Sequence, residues 1–445
     1  MFKISKFNVP FAKEGNFFLY NSHTSSFVKL NDEYRESLRS INNKQFESIP
    51  QKHLDDLLEA GFIVKESKDE NAFYTYIHNM NRFGSTNFHL TIATTLQCNF
   101  RCPYCYEEHV DEYIEGEKEE DLKKFIQNNI QNKSGLSITW YGGEPLLKKD
   151  LIDRVSKFAI ELCESRGITY SASMVSNGYL LNRETAKKLA NENNVRQVQI
   201  TLDGGPETHN ITRILRNGMG SFDIIMKNIK QIYDIMSVNI RVNVSKENVA
   251  DVYKLLPILI DEGLNQKVGV YFAPVEPINT SCQSVSESCL ITKEFSKWEM
   301  ELIEYADKIG FQIGELYPSH RGASICQAVV QNQYVIDAYG DIFKCWHEVG
   351  NKTKRIGSLS EGLTNEENLL KWMNWQLPAK CETCNIMPLC KGRCPDLSLN
   401  KEDKNNFECH QLKYNVKDRL FRYYQRSYLD SQKINSDELS KEIGV

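Results

Sequence analysis

Three cysteines, Cys98, Cys102 and Cys105, follow directly on a stretch, residues 89–93, that reads as a β-strand. Their spacing is Cys-x3-Cys-x2-Cys. Thiols this close together at a strand end are disulfide partners, reactive groups or metal ligands. Thirteen cysteines occur in the 445 residues, an odd number. The first residues, Met1-Phe2-Lys3-Ile4-Ser5-Lys6, run into polar sequence without an apolar signal region. A cytoplasmic protein is therefore expected, where disulfides are disfavoured. Metal ligation, catalysis or simple burial remain as roles for the thiols. Three thiolates can wrap a 4Fe–4S cluster and satisfy three of its irons, which leaves one iron open to a ligand. A structural zinc site is the alternative, but zinc wants four ligands and commonly paired Cys-x2-Cys units.

The surrounding pattern alternates strands with helices. Candidate strands are residues 89–93, 137–141, 170–175, 197–202, 239–244 and 268–272. Amphipathic helical stretches lie between them, among them 150–164, 182–190 and 221–236. Six such units imply a parallel sheet with helices outside, an α/β partial (β/α)6 TIM-like barrel with its site at the strands' C-terminal ends. Before it, residues 1–85 contain no cysteine. Strands at 16–20 and 26–30, two helical stretches (the second at 52–60, closed by Gly61) and a strand at 62–64 suit a small winged-helix-like module. Residues 66–85 read as a polar linker with a helical patch. The barrel is expected over 86–278, a linker over 279–319, a cysteine-rich domain over 320–412, and a C-terminal helix and tail over 413–445. The formal charge is −5 and no apolar run approaches a membrane span, so neither nucleic acid nor membrane is an expected partner.

The first cysteine group, with Tyr104 just before its third cysteine, resembles the motif of the radical S-adenosylmethionine (SAM) enzymes. The resemblance implies that SAM chelates the open iron and is split to a 5′-deoxyadenosyl radical. Downstream pieces agree in order: Trp140-Tyr141-Gly142-Gly143-Glu144-Pro145, Ser176-Asn177-Gly178, Leu202-Asp203-Gly204, then His209 and Arg213. It implies SAM contacts at Tyr104, Gly142, Gly143, Glu144, Ser176, Asp203 and Arg213. Arg213 is the candidate for the SAM carboxylate, which a guanidinium pairs bidentately. The glycines are expected to let backbone approach the ligand.

A second group runs Cys326-x13-Gly340-x4-Cys345, then Cys381-x2-Cys384-x5-Cys390-x3-Cys394, then Cys409. It resembles the seven-cysteine SPASM extension of peptide-modifying radical SAM enzymes. By that resemblance Cys381, Cys384, Cys390 and Cys409 hold an outer auxiliary 4Fe–4S cluster. Cys326, Cys345 and Cys394 hold an inner one. Its fourth position is open, or taken by Cys289, Cys282 or a substrate thiol. Three 4Fe–4S clusters and SAM are thus the implied cofactors, with flavodoxin or ferredoxin as reductant. A zinc ribbon would use Cys381-x2-Cys384 but leave the other spacings unexplained. The N-terminal module resembles the recognition element of ribosomal-peptide (RiPP) maturases, which capture a precursor's leader as an added strand. The implied activity is thioether crosslinking of a precursor peptide. Carbon–carbon or ether crosslinking, and an anaerobic sulfatase-maturating (formylglycine-generating) activity, are the alternatives. The last would expect Asp after Cys345, where this chain has Trp346-His347.

Cys163 reads as a buried thiol. His347 and His320 read as hydrogen-bonded structural groups, and Trp346, Trp372 and Trp375 as core or cluster shielding. The acidic run from Glu107 to Glu120 reads as a solvated loop and helix face.

Overall fold

Apolar and polar residues alternate along the strand Asn87–Ala93, and the alternation is what curls this chain into a barrel wall. Leu90 and Ile92 are buried under the outer helices, while His89 and Thr91 are on the other face with Ser137 and Thr139 of the next strand. The computed structural model describes residues 1–276, 287–314, 316–319, 325–399 and 407–442, with side chains to residue 427. Cys282 and His320 fall outside the described residues. Contacts divide the chain into two compact units.

The larger unit comprises Met80–Gly314 and Cys326–Trp375. All six expected strands are present: Asn87–Ala93, Gly135–Tyr141, Thr169–Ser176, Val195–Thr201, Ser237–Val244 and Gly269–Pro274. They pair in chain order and in parallel. Helices cover the outer face. Lys149–Arg166 packs Leu151, Ile152, Val155, Ala159 and Cys163 inward and ends at Gly167, whose φ of 66° an L side chain would resist. Arg183–Asn191 is capped by the Asn182 side chain, which accepts from the Thr185 amide at 2.9 Å. Each buried Leu, Ile or Val contributes about 1.5–3 kcal/mol. A charge at Ile152 or Ile138 would sit unpaired in this core and cost several kcal/mol.

Three further strands were not legible in the sequence. Gln333–Ile336 pairs in parallel with Asn87–Ala93, Asp341–Phe343 turns back antiparallel to it, and Gly357–Ser358 ends a nine-stranded sheet. They are two to four residues long, too short to show a period. The Cys326 and Cys345 segments therefore flank strands continuous with the barrel sheet.

The second unit comprises Met1–Asn79, Glu315–Ile325 and Gln376–Val445. Its three-stranded antiparallel sheet runs Asn8–Lys13, Asn16–Asn21, Phe27–Leu30. Helices Asp32–Asn42 and Gln51–Glu59 follow, and Ile63–Lys65 pairs with Phe2–Ile4. The strands Phe2–Ile4 and Asn8–Lys13 were missed, since the first is only three residues long with a lysine at its centre and the second carries a proline. Most of the stretch read as a linker is the helix Glu70–Phe83. Val9 and Tyr20 share a core with Ile386, Leu389, Val416 and Leu420, against which Cys384 and Cys390 pack. Asn385 donates to the Asn8 carbonyl at 3.1 Å. The closing helix, Leu412–Glu442, takes up most of the expected helix and tail and sets Phe421 edge-on to Phe18. Among the described residues no helix is long and apolar enough to cross a membrane.

Candidate active site

Backbone hydrogen bonds hold the loop after the first barrel strand on both sides, and the Thr95 and Arg101 side chains add to them. Thr94 donates to the Tyr141 carbonyl at 3.1 Å, Gly143 to Thr95 at 3.0 Å and Glu144 to Gln97 at 2.9 Å. On its other side Arg101 donates to Ile214, and Arg216 to Asn99, each at 2.8 Å. A Cβ on Gly142 would lie 2.4 Å from the Thr95 oxygen, and one on Gly143 2.3 Å from the Gln97 oxygen. The glycines were expected to admit a ligand. The backbone that comes closest to them is instead the cysteine loop itself.

Cys98, Cys102 and Cys105 line one cavity of about 400 Å3. Burial pushes the thiols of Cys98 and Cys105 up to about 12, and raises Cys102 despite the nearby Arg213. Three buried thiols become thiolates only against a bound cation, and a cluster's irons supply that charge. Donors already face Cys98: the Phe100 amide lies 3.4 Å from its sulfur and the Asn177 amide nitrogen 3.8 Å. Among the described residues no three Cys, His, Asp or Glu side chains converge on a single metal ion. A cluster asks something different, because each thiolate binds its own iron.

Tyr104, Gly142, Gly143, Ser176 and Arg213 line the same cavity; Glu144 and Asp203 do not. Glu144 is fully buried. Its carboxylate accepts from the Asn177 amide at 2.8 Å, Ser176 Oγ at 2.9 Å and the Leu146 amide at 3.1 Å. Burial raises it to about 6, with those donors opposing. It ties the Gly-Gly turn to the end of the third strand. Asp203 accepts from the Tyr104 hydroxyl and, at 3.1 Å, from Thr212 Oγ1. Arg213 in turn donates to the Tyr104 hydroxyl at 2.8 Å. Burial opposes the Arg213 charge, but Tyr104, Cys102 and Asp203 outweigh it and hold the guanidinium above its ordinary value.

His209 acts from behind. Ser221 Oγ donates to the Arg213 carbonyl at 2.8 Å, so it accepts from His209 Nε2 at 3.0 Å. His209 Nδ1 is then the acceptor for the Asp203 amide at 3.4 Å. Burial holds this ring neutral. The histidine of the Asp-Gly…His…Arg pattern is thus a strut for both ends of it.

Arg213 Nε, a buried atom of the cavity wall, has no hydrogen-bond partner. With the cavity's size, which suits a nucleotide-like ligand, it fits a polar group that carries a carboxylate. Gln199, Thr201, Arg241 and Asn243 also line the cavity, from inward positions on the fourth and fifth strands. Their period-2 spacing was the available signal.

Glu107 corrects the reading of a wholly solvated acidic run. It is buried in the cavity wall and raised by that burial to about 7, with Tyr141 opposing. Glu119 is also buried, held by Arg154 at 2.6 Å. Trp346 packs on Tyr141, ring centres 4.7 Å apart, and His347 meets Tyr106 edge-on. Both line the cavity. Trp372 and Trp375 are core residues, and Cys163 is buried.

In the second unit burial first, and then the nearby Cys390, Cys384 and Cys409, pushes the Cys381 thiol up to about 12. Those four cysteines are the expected outer set. Lys413 approaches the Cys384 sulfur at 3.5 Å. Of the expected inner set, Cys326 and Cys345 belong to the larger unit and Cys394 to the smaller. Cys289 is half-buried in the larger unit.

Comparison with known proteins supports the fold that carries this site. The family model of the radical SAM superfamily matches residues 92–256. The cysteine-type anaerobic sulfatase-maturating enzyme of Clostridium novyi (strain NT) is 26% identical over 335 residues, 67% of this chain and 84% of that protein. The solved structure of anSMEcpe with bound AdoMet matches 78% of this chain and 99% of its own, with TM-score 0.60 and 19% identity. Streptococcus suis SuiB, solved with its precursor peptide SuiA, matches 92% of this chain and 99% of its own, with TM-score 0.53 and 16% identity. That share exceeds what residues 86–445 alone can supply, so the likeness in fold reaches into the N-terminal module. Residues 92–256 thus form a radical SAM domain.

Proposed function

We propose that the protein matures a ribosomally made precursor peptide and installs a thioether between a cysteine sulfur and a carbon. The observation that carries the peptide reading is the strand Phe27–Leu30. Among the described residues it pairs on one side only, with Asn16–Asn21. Beside its free edge is a pocket of about 320 Å3, lined by Val28, Leu30, Leu57 and Phe62, with Tyr34 and Asp56 at its polar end. An open strand edge with an apolar pocket suits an extended peptide, whose backbone completes the sheet while one side chain fills the pocket. Seven cysteines for eight ligand positions support a substrate thiol as the missing one.

When bound, the cluster and SAM supply a carbon radical able to take hydrogen from an unactivated C–H bond. The chain's own part is to hold and shield. Cys98, Cys102 and Cys105 take the cluster. Gly142, Gly143, Ser176 and Arg213 form the wall for SAM, with Tyr104 and Asp203 fixing Arg213 and Glu144 fixing the turn. Tyr141 and Trp346 keep water from one side. Cys381, Cys384, Cys390 and Cys409 take an outer cluster, and Cys326, Cys345 and Cys394 an inner one.

The Clostridium relative favours a second reading, conversion of Cys or Ser to formylglycine. Trp346 stands where that reading wants a carboxylate, which weighs against it.

The test is anaerobic turnover of the reconstituted enzyme with SAM, a reductant and a precursor peptide encoded beside its gene. Loss of two hydrogens with a cysteine that no longer alkylates supports the thioether. The same loss with every thiol still reactive replaces it by a carbon–carbon or ether bond. An aldehyde product favours formylglycine, and absence of 5′-deoxyadenosine overturns every radical reading.

A further inference from the structure

Lys344 is fully buried. It immediately precedes Cys345. Its ammonium donates to the Val330 carbonyl at 2.7 Å and to the Gln333 carbonyl. The Tyr334 ring centre is 4.5 Å away. Val330 closes the short turn Gln327–Val329 that Cys326 opens. The ammonium is therefore packed beneath the segment presenting Cys326 and next to the residue presenting Cys345.

A buried ammonium is costly unless an anion balances it. Among the described residues no carboxylate forms an ion pair with Lys344. Burial works against its charge first; the Cys326 thiol favours the ammonium, and Arg82, a second cation, opposes it. Arg82 is itself buried and donates to the carbonyls of Met373 at 2.8 Å, Trp375 at 2.9 Å and Val329 at 3.1 Å. Two cations thus lie close together in this interior, and the thiol that bears on Lys344 is that of Cys326. Thiolates on an iron–sulfur core leave a net negative charge, which is the missing counter-ion.

We propose that Lys344 is the buried counter-cation of an iron–sulfur cluster held by Cys326 and Cys345, and that it raises that cluster's reduction potential. The proposal rests on the reading above that these cysteines ligate a cluster. Reduction adds an electron, and a fixed cation in a low-dielectric interior stabilises the added charge. The cluster becomes a better acceptor for the electron released when the product bond closes. Lys344 is a positioning residue, since it acts only through the cluster.

The test compares wild type with Lys344→Met and Lys344→Gln, each as the full chain reconstituted without oxygen. Iron is counted first, and an electron paramagnetic resonance redox titration follows. The expected result is about twelve irons in all three proteins, as three 4Fe–4S clusters require. One set of signals should titrate at a lower potential in both variants, and by a similar amount. The signal that changes on adding SAM should keep its potential. Gln still donates to the two carbonyls and Met does not, so a shift in Met alone would mean a packing role and overturn the proposal. Unchanged potentials in both would overturn it too, as would a shift confined to the SAM-sensitive signal. Should Met fail to fold, Gln alone decides. About four irons in wild type would sink the auxiliary-cluster reading itself, and the lysine's role with it.

Discussion

The Arg213 guanidinium donates to the Tyr104 hydroxyl at 2.8 Å, and that hydroxyl donates onward to Asp203. A residue of the cysteine loop is thereby bonded to the residues after the fourth strand, and Arg213 is aimed while its Nε remains unpartnered. Arg213→Gln should weaken SAM binding by about 10- to 100-fold, the worth of a charge-assisted hydrogen bond. Tyr104→Phe should cost less, because it loosens the guanidinium without removing it. Equilibrium SAM binding to the reconstituted protein measures both. Equal affinity in Arg213→Gln and wild type would remove Arg213 from the site.

Gly143→Ala tests the docking of the cysteine loop. Its Cβ would meet three backbone atoms, the oxygen and carbon of Gln97 and the oxygen of Leu96, all within 2.9 Å. Backbone cannot step aside as a side chain can, so the loop must move. The variant should lose the first cluster's iron and its spectral response to SAM, while the other iron stays.

Glu144→Ala should destabilise the larger unit by about 2–4 kcal/mol, because three buried donors lose one carboxylate. Glu144→Gln should cost less, since one oxygen survives. Denaturant midpoints of the two variants give the comparison, and an unchanged midpoint in Glu144→Ala would refute the strut role.

Asp337 predicts a pH dependence. Its carboxyl accepts from the amides of Tyr339 at 2.9 Å and Asp341 at 3.0 Å, yet burial first, and Asp341 second, raise it to about 7. The folded value lies above the unfolded 3.8. Its contribution is therefore fully present below about pH 4 and is lost as pH climbs through about 7. Asp337→Asn keeps the oxygen that both amides use, gives up the acceptor for the Gly350 amide at 3.2 Å at every pH, and removes the titration. Between pH 5 and 7.5 the wild-type Tm should fall by about 2–4 °C more than the variant's, the effect of about 1 kcal/mol. Parallel curves would contradict this.

Leu30→Asp places a charge in the pocket beside the open strand edge. It should weaken precursor binding by about tenfold or more, from the lost apolar contact. SAM cleavage without peptide should be unaffected. Undiminished binding would move the peptide to another surface.

The six barrel strands were legible because each spans six to eight residues and alternates polar and apolar side chains. The cysteine spacings and the Gly-Gly and Asp-Gly turns were legible because they are local. What stayed hidden was contact at a distance. Nothing near Glu107 in the sequence says that Tyr141 and a cavity wall will bury it. Nothing at Glu144 or His209 says that each points away from the cavity to brace a neighbour. The strands Gln333–Ile336 and Asp341–Phe343 are too short for periodicity, and their existence depends on the edge of Asn87–Ala93, over 200 residues earlier.

That edge pairing carries a consequence for electron flow. Tunnelling through protein fades steeply with separation, so centres that exchange electrons must hold their spacing against thermal motion. Gln333–Ile336 lies directly against the strand that leads into Cys98, register fixed from His89 to Ile92. On the proposed reading that Cys326 and Cys345 hold a cluster, its distance from the first thiols is set by this hydrogen-bonded ladder, and surface substitutions or loop insertions away from that edge should leave the transfer rate unchanged.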